Sequence, residues 1–105
     1  MRLRNTYRMD LARTLPINDW PEADRPREKL LQRGAESLSD AELLALLLGT
    51  GIRGVNALEL ARHLILAFGD LRGLLTAPVP HALAVPGLGP ARVAVLQAAL
   101  ELAVE

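Results

Sequence analysis

The feature that most constrains the fold is the segment LAVPGLGPARVAVL at residues 83–96. Two glycines flank Leu88 and let the backbone turn sharply, and Pro90 suits the first position of a following helix because its missing N–H costs nothing there. Residues 82–85 are expected to form a short helix before the turn. The sequence therefore predicts a helix-hairpin-helix at residues 83–96.

Signals for helix starts recur along the rest of the chain. Ser39 with Glu42 has the pattern of a capping box, and Asn56 with Glu59 repeats it. Half of the residues are apolar but few are aromatic, and the excess of Leu and Ala favours helix over strand. The sequence predicts an all-α fold, a small bundle of five to six short helices, with helices near 27–33, 40–48, 57–68, 71–75 and 90–105.

The length of 105 residues fits one compact domain. Residues 1–15 contain four arginines with no clear period, so we predict a basic N-terminal extension there and a helical domain over residues 16–105. In the final helix the polar residues are confined to one stripe, and most of that helix is therefore expected to be buried. The stripe consists of Arg92, Gln97, Glu101 and Glu105.

The 83–96 turn predicts a phosphate-binding site. Backbone amides near Gly89 lie at a helix N-terminus, which binds anions, and the absence of a Cβ at Gly87 and Gly89 permits close approach. Arg92 opposes the helix dipole unless an anion is near. Arg92 has two alternative roles: it contacts phosphate, or it is simply the first residue of the solvated stripe. The glycines likewise have an alternative role, which is to allow a tight corner between two helices. The candidate DNA-phosphate-binding residues are Gly87, Leu88, Gly89, Ala91 and Arg92.

A second turn resembles the first. Residues 48–51, Leu-Gly-Thr-Gly, precede the third predicted helix much as residues 85–89 precede the last one. Two such hairpins would form a pseudo-twofold unit, with Gly51, Arg53 and Gly54 as the second phosphate contact. Thr50 replaces the apolar residue at the centre of the turn, so a structural role is favoured over phosphate binding here.

Other chemistry is sparse. His63 and His81 have no partner at metal-ligand spacing, there is no cysteine, and no nucleophile has a candidate base. We expect no enzyme activity, no metal and no cofactor, and we expect a cytoplasmic protein without membrane association. Residues 34–105 carry four basic and seven acidic groups, against eight and five in residues 1–33. This balance counts against a strong DNA-binding surface.

The segments RPREKLL, LSDAELLALLL and GLGPA carry a resemblance to a known family. From Ile17 to Glu105 the chain resembles the N-terminal domain of the RadC family of bacterial proteins. The resemblance implies a helical module with a helix-hairpin-helix, an association with DNA repair, and a separate C-terminal domain of the JAB1/MPN metallopeptidase class. The zinc ligands of that domain, an H-x-H and an Asp, are absent here, so no hydrolase activity is implied. Val93 departs from the small alanine usual at its position.

Two functions are predicted from these observations. The first is a sequence-nonspecific DNA-binding module that contacts backbone phosphate weakly and belongs to a larger repair-associated protein. The alternative is a protein-interaction or structural domain that packs against the C-terminal domain or another partner without binding DNA. The neutral-to-acidic charge balance favours this alternative.

Overall fold

A computed structural model describes residues 15–103, which contain six α-helices and, apart from an isolated bridge between Ile52 and Val55, no β-structure. The all-α prediction is confirmed. The chain divides into two compact units, the first ending at His63 and the second beginning at Leu64. The predicted extension, except Leu15, and Glu105 lie outside the described residues. The helices are α1 (Pro26–Arg33), α2 (Asp40–Leu48), α3 (Ala57–Phe68), α4 (Leu71–Leu75), α5 (Val79–Leu83) and α6 (Pro90–Ala103).

The first unit contains the helix ends that the sequence predicts best. Helix α1 begins at buried Pro26 and ends at Gly34. Ser39 and Glu42 form the predicted capping box at the start of α2. The Ser39 Oγ accepts from the Glu42 amide at 3.2 Å, and the Glu42 carboxylate accepts from the Ser39 amide at 2.8 Å. Both groups satisfy amides that the first helical turn leaves without partners.

Lys29 joins α1 to α2 through the same glutamate. The Lys29 Nζ donates to Glu42 Oε2 at 2.9 Å, while Glu42 Oε1 serves the capping box. One carboxylate therefore fixes both the start of α2 and the position of α1 beside it. Besides Pro26, the apolar residues buried in the first unit are Leu38, Leu44, Ala45, Leu48, Val55, Ala57, Leu58, Leu60 and Ala61.

The segment before α1 consists of two 3-10 turns, Ile17–Asp19 and Glu22–Asp24. Arg25 holds this segment by donating from Nε to the Trp20 carbonyl at 3.1 Å and from Nη2 to the Asn18 carbonyl at 2.9 Å. A guanidinium suits this role because it presents several donors in a fixed plane. The segment is thereby folded back on the start of α1.

Helix α3 begins as predicted, with the Asn56 Oδ1 accepting from the Glu59 amide at 2.8 Å. The Glu59 carboxylate pairs with Arg62 at 3.1 Å and lies 3.9 Å from Nε2 of His63. The His63 side chain is buried, and burial lowers its pKa, while the Glu59 charge acts in the opposite direction.

In the second unit, α4 forms where the sequence predicts a helix near residues 71–75, and Asp70 caps it: its carboxylate accepts from the Gly73 amide at 2.7 Å. The helix expected over residues 82–85 instead spans Val79–Leu83. Pro78 precedes α5 and Pro80 lies in its first turn, where a missing N–H is tolerated. The prolines therefore start this helix rather than delaying it. The prediction that α6 starts at Pro90 is confirmed.

The expectation that most of α6 is buried is wrong. Within its described residues only Val93 and Leu96 are buried. They pack near α4 and α5, together with buried Leu74, Ala82 and Leu88. The remaining apolar positions of α6 are largely exposed, including Leu102, so an apolar composition here does not reflect burial within the described part of the chain.

Candidate phosphate-binding site

The candidate site is the turn of residues 84–89 between α5 and α6. Leu88 fixes it from within: the side chain is only 3% exposed, and its amide donates to the Val85 carbonyl at 3.0 Å. Gly87 has φ 95°, a left-handed conformation that costs an L-residue about 1–2 kcal/mol. Leu88 and Gly87 therefore give the turn its shape, and the Leu88 amide is used within it.

Gly89 differs from Gly87 because neither backbone conformation nor crowding requires a glycine there. Its φ lies outside the left-handed region, and a Cβ added to it would meet nothing within 4 Å among the described residues. Its carbonyl accepts from the Val93 amide at 3.0 Å, which makes Gly89 the N-cap residue of α6. The surface above Gly89 is open to an approaching group.

Helix α6 also lacks the side-chain cap that three other helices have. Ser39, Asn56 and Asp70 each accept an amide of the helix that follows them. Glycine has no side chain to do this, and in the described part of the chain no acceptor receives the amides of Gly89 or Ala91. These two donors remain at the positive end of the longest described helix.

Arg92 lies next to these donors but also serves the turn. Its Nη1 donates to the Gly87 carbonyl at 2.9 Å, and the side chain is half-buried. This interaction was missed by the sequence reasoning, which considered only phosphate contact and a solvated stripe. The available signal is the spacing, because an arginine in the first turn of a helix can reach back to a carbonyl of the preceding turn.

The second predicted contact lies in the first unit. A Cβ at Gly51 would collide with the Val55 carbonyl, so this glycine is required by close packing. Arg53 and Gly54 are exposed in a tight turn, closed by reciprocal hydrogen bonds between Ile52 and Val55 at 2.9 and 3.0 Å. This geometry accounts for Gly51 structurally, in line with the preference for a structural role. The pseudo-twofold pairing stays a prediction.

The first unit also contains a surface pocket that the sequence did not indicate. Pro16, Ile17 and Asn18 line a pocket of about 340 Å³ together with residues 49–52 and 54–57. Thr50, Gly51 and Asn56 in its wall all have interaction partners.

Within residues 15–103, no group of three or more His, Asp or Glu side chains is arranged to hold a metal ion. No helix in this part of the chain has the length and apolarity to cross a membrane.

The described residues define the class of the protein: a small all-α module in which a buried leucine and one left-handed glycine shape a turn at the start of a long helix. The chain belongs to the UPF0758 N-terminal family, whose model matches residues 17–94. This confirms the family resemblance at the level of the N-terminal region. No solved structure matches the chain.

Curated relatives are similar over most of this chain. A UPF0758 protein of Chromobacterium violaceum is 58% identical over 89 residues, covering 85% of this chain and 40% of the relative. One of Nitrosomonas europaea is 56% identical with the same coverage, and one of Shewanella baltica is 60% identical over 87 residues, 83% of this chain and 39% of the relative. The chain thus spans about two fifths of the length of these relatives.

Proposed function

We propose that this chain is a sequence-nonspecific DNA-binding module that contacts backbone phosphate with a helix-hairpin-helix formed by α5, the 84–89 turn and α6. The observation that carries the proposal is Gly89, a glycine at a helix N-cap with open space where a side chain would project. A phosphate oxygen approaching there meets the Gly89 and Ala91 amides and the positive end of α6. A glycine permits the shortest approach to both amides.

Arg92 supports the same proposal through its position. Its hydrogen bond to the Gly87 carbonyl holds a positive charge beside the turn. Arg72 is the other arginine of the second unit, and Asp70 and Glu101 balance the two charges among its described residues. Because few cations surround the turn, few phosphates can be neutralised, so binding is expected to be weak, with a log–log salt slope near −0.9 for each phosphate contacted.

The proposal is tested by fluorescence anisotropy with duplex and branched DNA at low salt, using a variant that affects folding and binding in opposite directions. Gly89→Asp supplies an N-cap carboxylate and should raise the free energy of unfolding by about 0.5 kcal/mol. The same carboxylate occupies the amides and repels phosphate, so DNA affinity should fall about tenfold or more. Loss of binding could then not be attributed to loss of folding.

Gln97→Glu is the matched control, since it adds the same charge to an exposed position on the same helix, away from the turn. It should leave DNA affinity within about twofold, as only long-range screened repulsion is added. Absence of DNA binding by the wild-type chain at low salt would disprove the proposal. Equal binding by the wild type and Gly89→Asp would do so as well.

A second candidate function is a protein-interaction domain without DNA binding. The observation that favours it is the exposed apolar surface of α6, next to exposed Glu101 rather than to a cluster of arginines. Apolar surface of this kind is typical of protein interfaces. The same anisotropy measurement separates the candidates, because this one is supported when the folded chain does not bind DNA.

A further inference from the structure

Helix α6 carries an apolar stripe that the described part of the chain leaves exposed. The stripe consists of Ala91, Val95, Ala98 and Leu102, and all four are exposed; Val95 is 44% exposed and Leu102 73%. Their spacing of four, three and four residues is the spacing by which helices pack against each other along a seam. We call these four residues the α6 stripe.

The α6 stripe lies on the side of the helix opposite its buried residues. Val93 and Leu96 point toward the core of the second unit, and at 100° per residue the stripe is roughly half a turn away from them. The polar residues Gln97 and Glu101 fall outside the stripe. A helix that packs one face on a core normally carries polar residues on the opposite face. Helix α6 instead has a second apolar face, which is typical of a surface that binds a partner.

The family relationship indicates what covers this face. The relatives are more than twice as long as the region that this chain matches, and the matching family model is described as N-terminal. In these relatives a longer remainder therefore follows the region corresponding to this chain. Two alanines, a valine and a leucine form a small surface compared with the roughly 1,200–2,000 Å² that a stable interface between separate molecules buries.

A covalently attached partner needs much less surface, because its effective concentration is on the order of millimolar. We propose that the α6 stripe is the surface on which the remainder of the full-length protein docks, so that α6 has one face in the N-terminal unit and the other against the following domain. This docking does not depend on DNA binding. It uses side chains on the helix face away from the core, whereas the proposed phosphate contact uses backbone amides at the helix start, and the two meet only at Ala91.

The test compares the 105-residue chain with a full-length hybrid, in which the 89 matched residues of this chain replace their counterparts in the Chromobacterium violaceum relative. Val95→Cys and Leu102→Cys are introduced into both proteins, and the rate of thiol labelling at each site is followed by mass spectrometry. The chain itself contains no cysteine. In the hybrid, labelling at both sites should be about tenfold slower or more, because a docked surface reacts only when it opens.

Arg72→Cys is the control, since Arg72 is exposed on α4, outside the stripe. It should be labelled at equal rates in both proteins. Unchanged labelling of Val95→Cys and Leu102→Cys in the hybrid would overturn the proposal. Protection of both sites in the 105-residue chain alone, with sedimentation showing a dimer, would overturn it in favour of a second copy as the occupant.

A measurement without substitutions keeps the proposal testable when the hybrid does not fold. Amide hydrogen exchange is measured in the natural full-length Chromobacterium violaceum relative and in the 105-residue chain. Exchange in the segment aligned with α6 should be slower in the relative, while exchange in the segments aligned with α1 and α2 should be similar. Equal exchange along α6 in both proteins would overturn the docking proposal and leave the proposed DNA contact unaffected.

Discussion

The Arg92 guanidinium donates to the carbonyl of Gly87 at 2.9 Å, so an arginine in the first turn of α6 also orders the turn that forms the candidate phosphate site. Gly87 occupies the left-handed region, and its carbonyl accepts from a residue in the first turn of α6. The Arg92 side chain therefore both stabilises the conformation of the turn and supplies a positive charge beside it. A substitution of Arg92 is expected to change both stability and DNA binding.

These two effects can be separated by comparing Arg92→Gln with Arg92→Lys. Arg92→Gln should lower the free energy of unfolding by about 1 kcal/mol and reduce the magnitude of the DNA salt slope by about 1. Arg92→Lys retains the charge, so it should keep most of the salt slope while losing part of the stability. Urea denaturation and salt titration of the anisotropy measure the two quantities. An unchanged unfolding free energy in Arg92→Gln would show that the hydrogen bond does not stabilise the turn.

The two glycines of the turn should respond differently to alanine. Gly87→Ala forces an L-residue into a left-handed conformation and should cost about 1–2 kcal/mol. Gly89→Ala adds a methyl group in open space, and the reduced entropy of the unfolded chain roughly offsets the poorer N-cap, so its effect should stay within about 0.5 kcal/mol. Thermal and urea denaturation of both variants test this. Equal destabilisation would mean that Gly89, too, is required by the fold.

Glu42 should make the first unit sensitive to mild acid. Burial alone would raise its pKa, but the Ser39 amide and Lys29 together lower the pKa below the usual 4.5. Since the folded state holds the proton less tightly than the unfolded state, the stabilisation is present above pH 4.5 and is lost as pH falls below it. Glu42→Gln keeps the capping box and removes the charge. It should cost about 0.5–1 kcal/mol at pH 7 and less at pH 3.

Glu42→Ala is the companion variant, because it removes the cap together with the ion pair. It should cost about 1 kcal/mol more than Glu42→Gln at pH 7. Denaturant titrations at pH 7 and pH 3 provide the comparison. Identical losses in the two variants would assign the whole contribution to the ion pair with Lys29.

His63 should make the stability of the fold depend on pH in a higher range than Glu42 does. Burial lowers its pKa below 6.5, although Glu59 at 3.9 Å opposes the shift. The unfolded state therefore takes up the proton first, so stability is constant above about pH 6.5 and decreases as pH falls through the lowered pKa. His63→Leu should flatten this decrease below pH 6.5. Glu59→Gln should steepen it, because the charge that favours protonated His63 is removed. A pH-independent wild type in this range would contradict the assignment.

The parts of the fold that the sequence predicted correctly are those fixed by local chemistry. A serine or asparagine cap and its partner are three residues apart, so Ser39 and Asn56 mark the starts of α2 and α3 without any knowledge of the tertiary structure. The error at α5 is also local. The sequence predicts a helix over residues 82–85, but Pro78 and Pro80 are compatible with the start of a helix, and α5 begins at Val79.

The error at α6 has a different origin. Apolar residues around most of a helix predict that it is covered, but the pattern does not say by what. Only Val93 and Leu96 are buried within the second unit, and Leu102 is exposed. The candidate site shows the same limit. The sequence identified Gly87 and Gly89 together, but only the left-handed φ of Gly87 and the open space at Gly89 distinguish the glycine that shapes the turn from the one that leaves space above it.

A substitution of Val93 tests whether the packing of α5 against α6 needs a side chain larger than alanine at this position. The Val93 side chain is 6% exposed and borders a cavity of only about 10 Å³, lined also by Leu74, Ala82 and Leu96. Val93→Ala should enlarge this cavity and lower the free energy of unfolding by about 1–2 kcal/mol, because the lost methyl groups are not replaced. DNA affinity of the folded variant should change less than twofold, since Val93 faces the core and not the surface above Gly89. Stabilisation by Val93→Ala would instead indicate that the valine is too large for its site and strains the packing of the two helices.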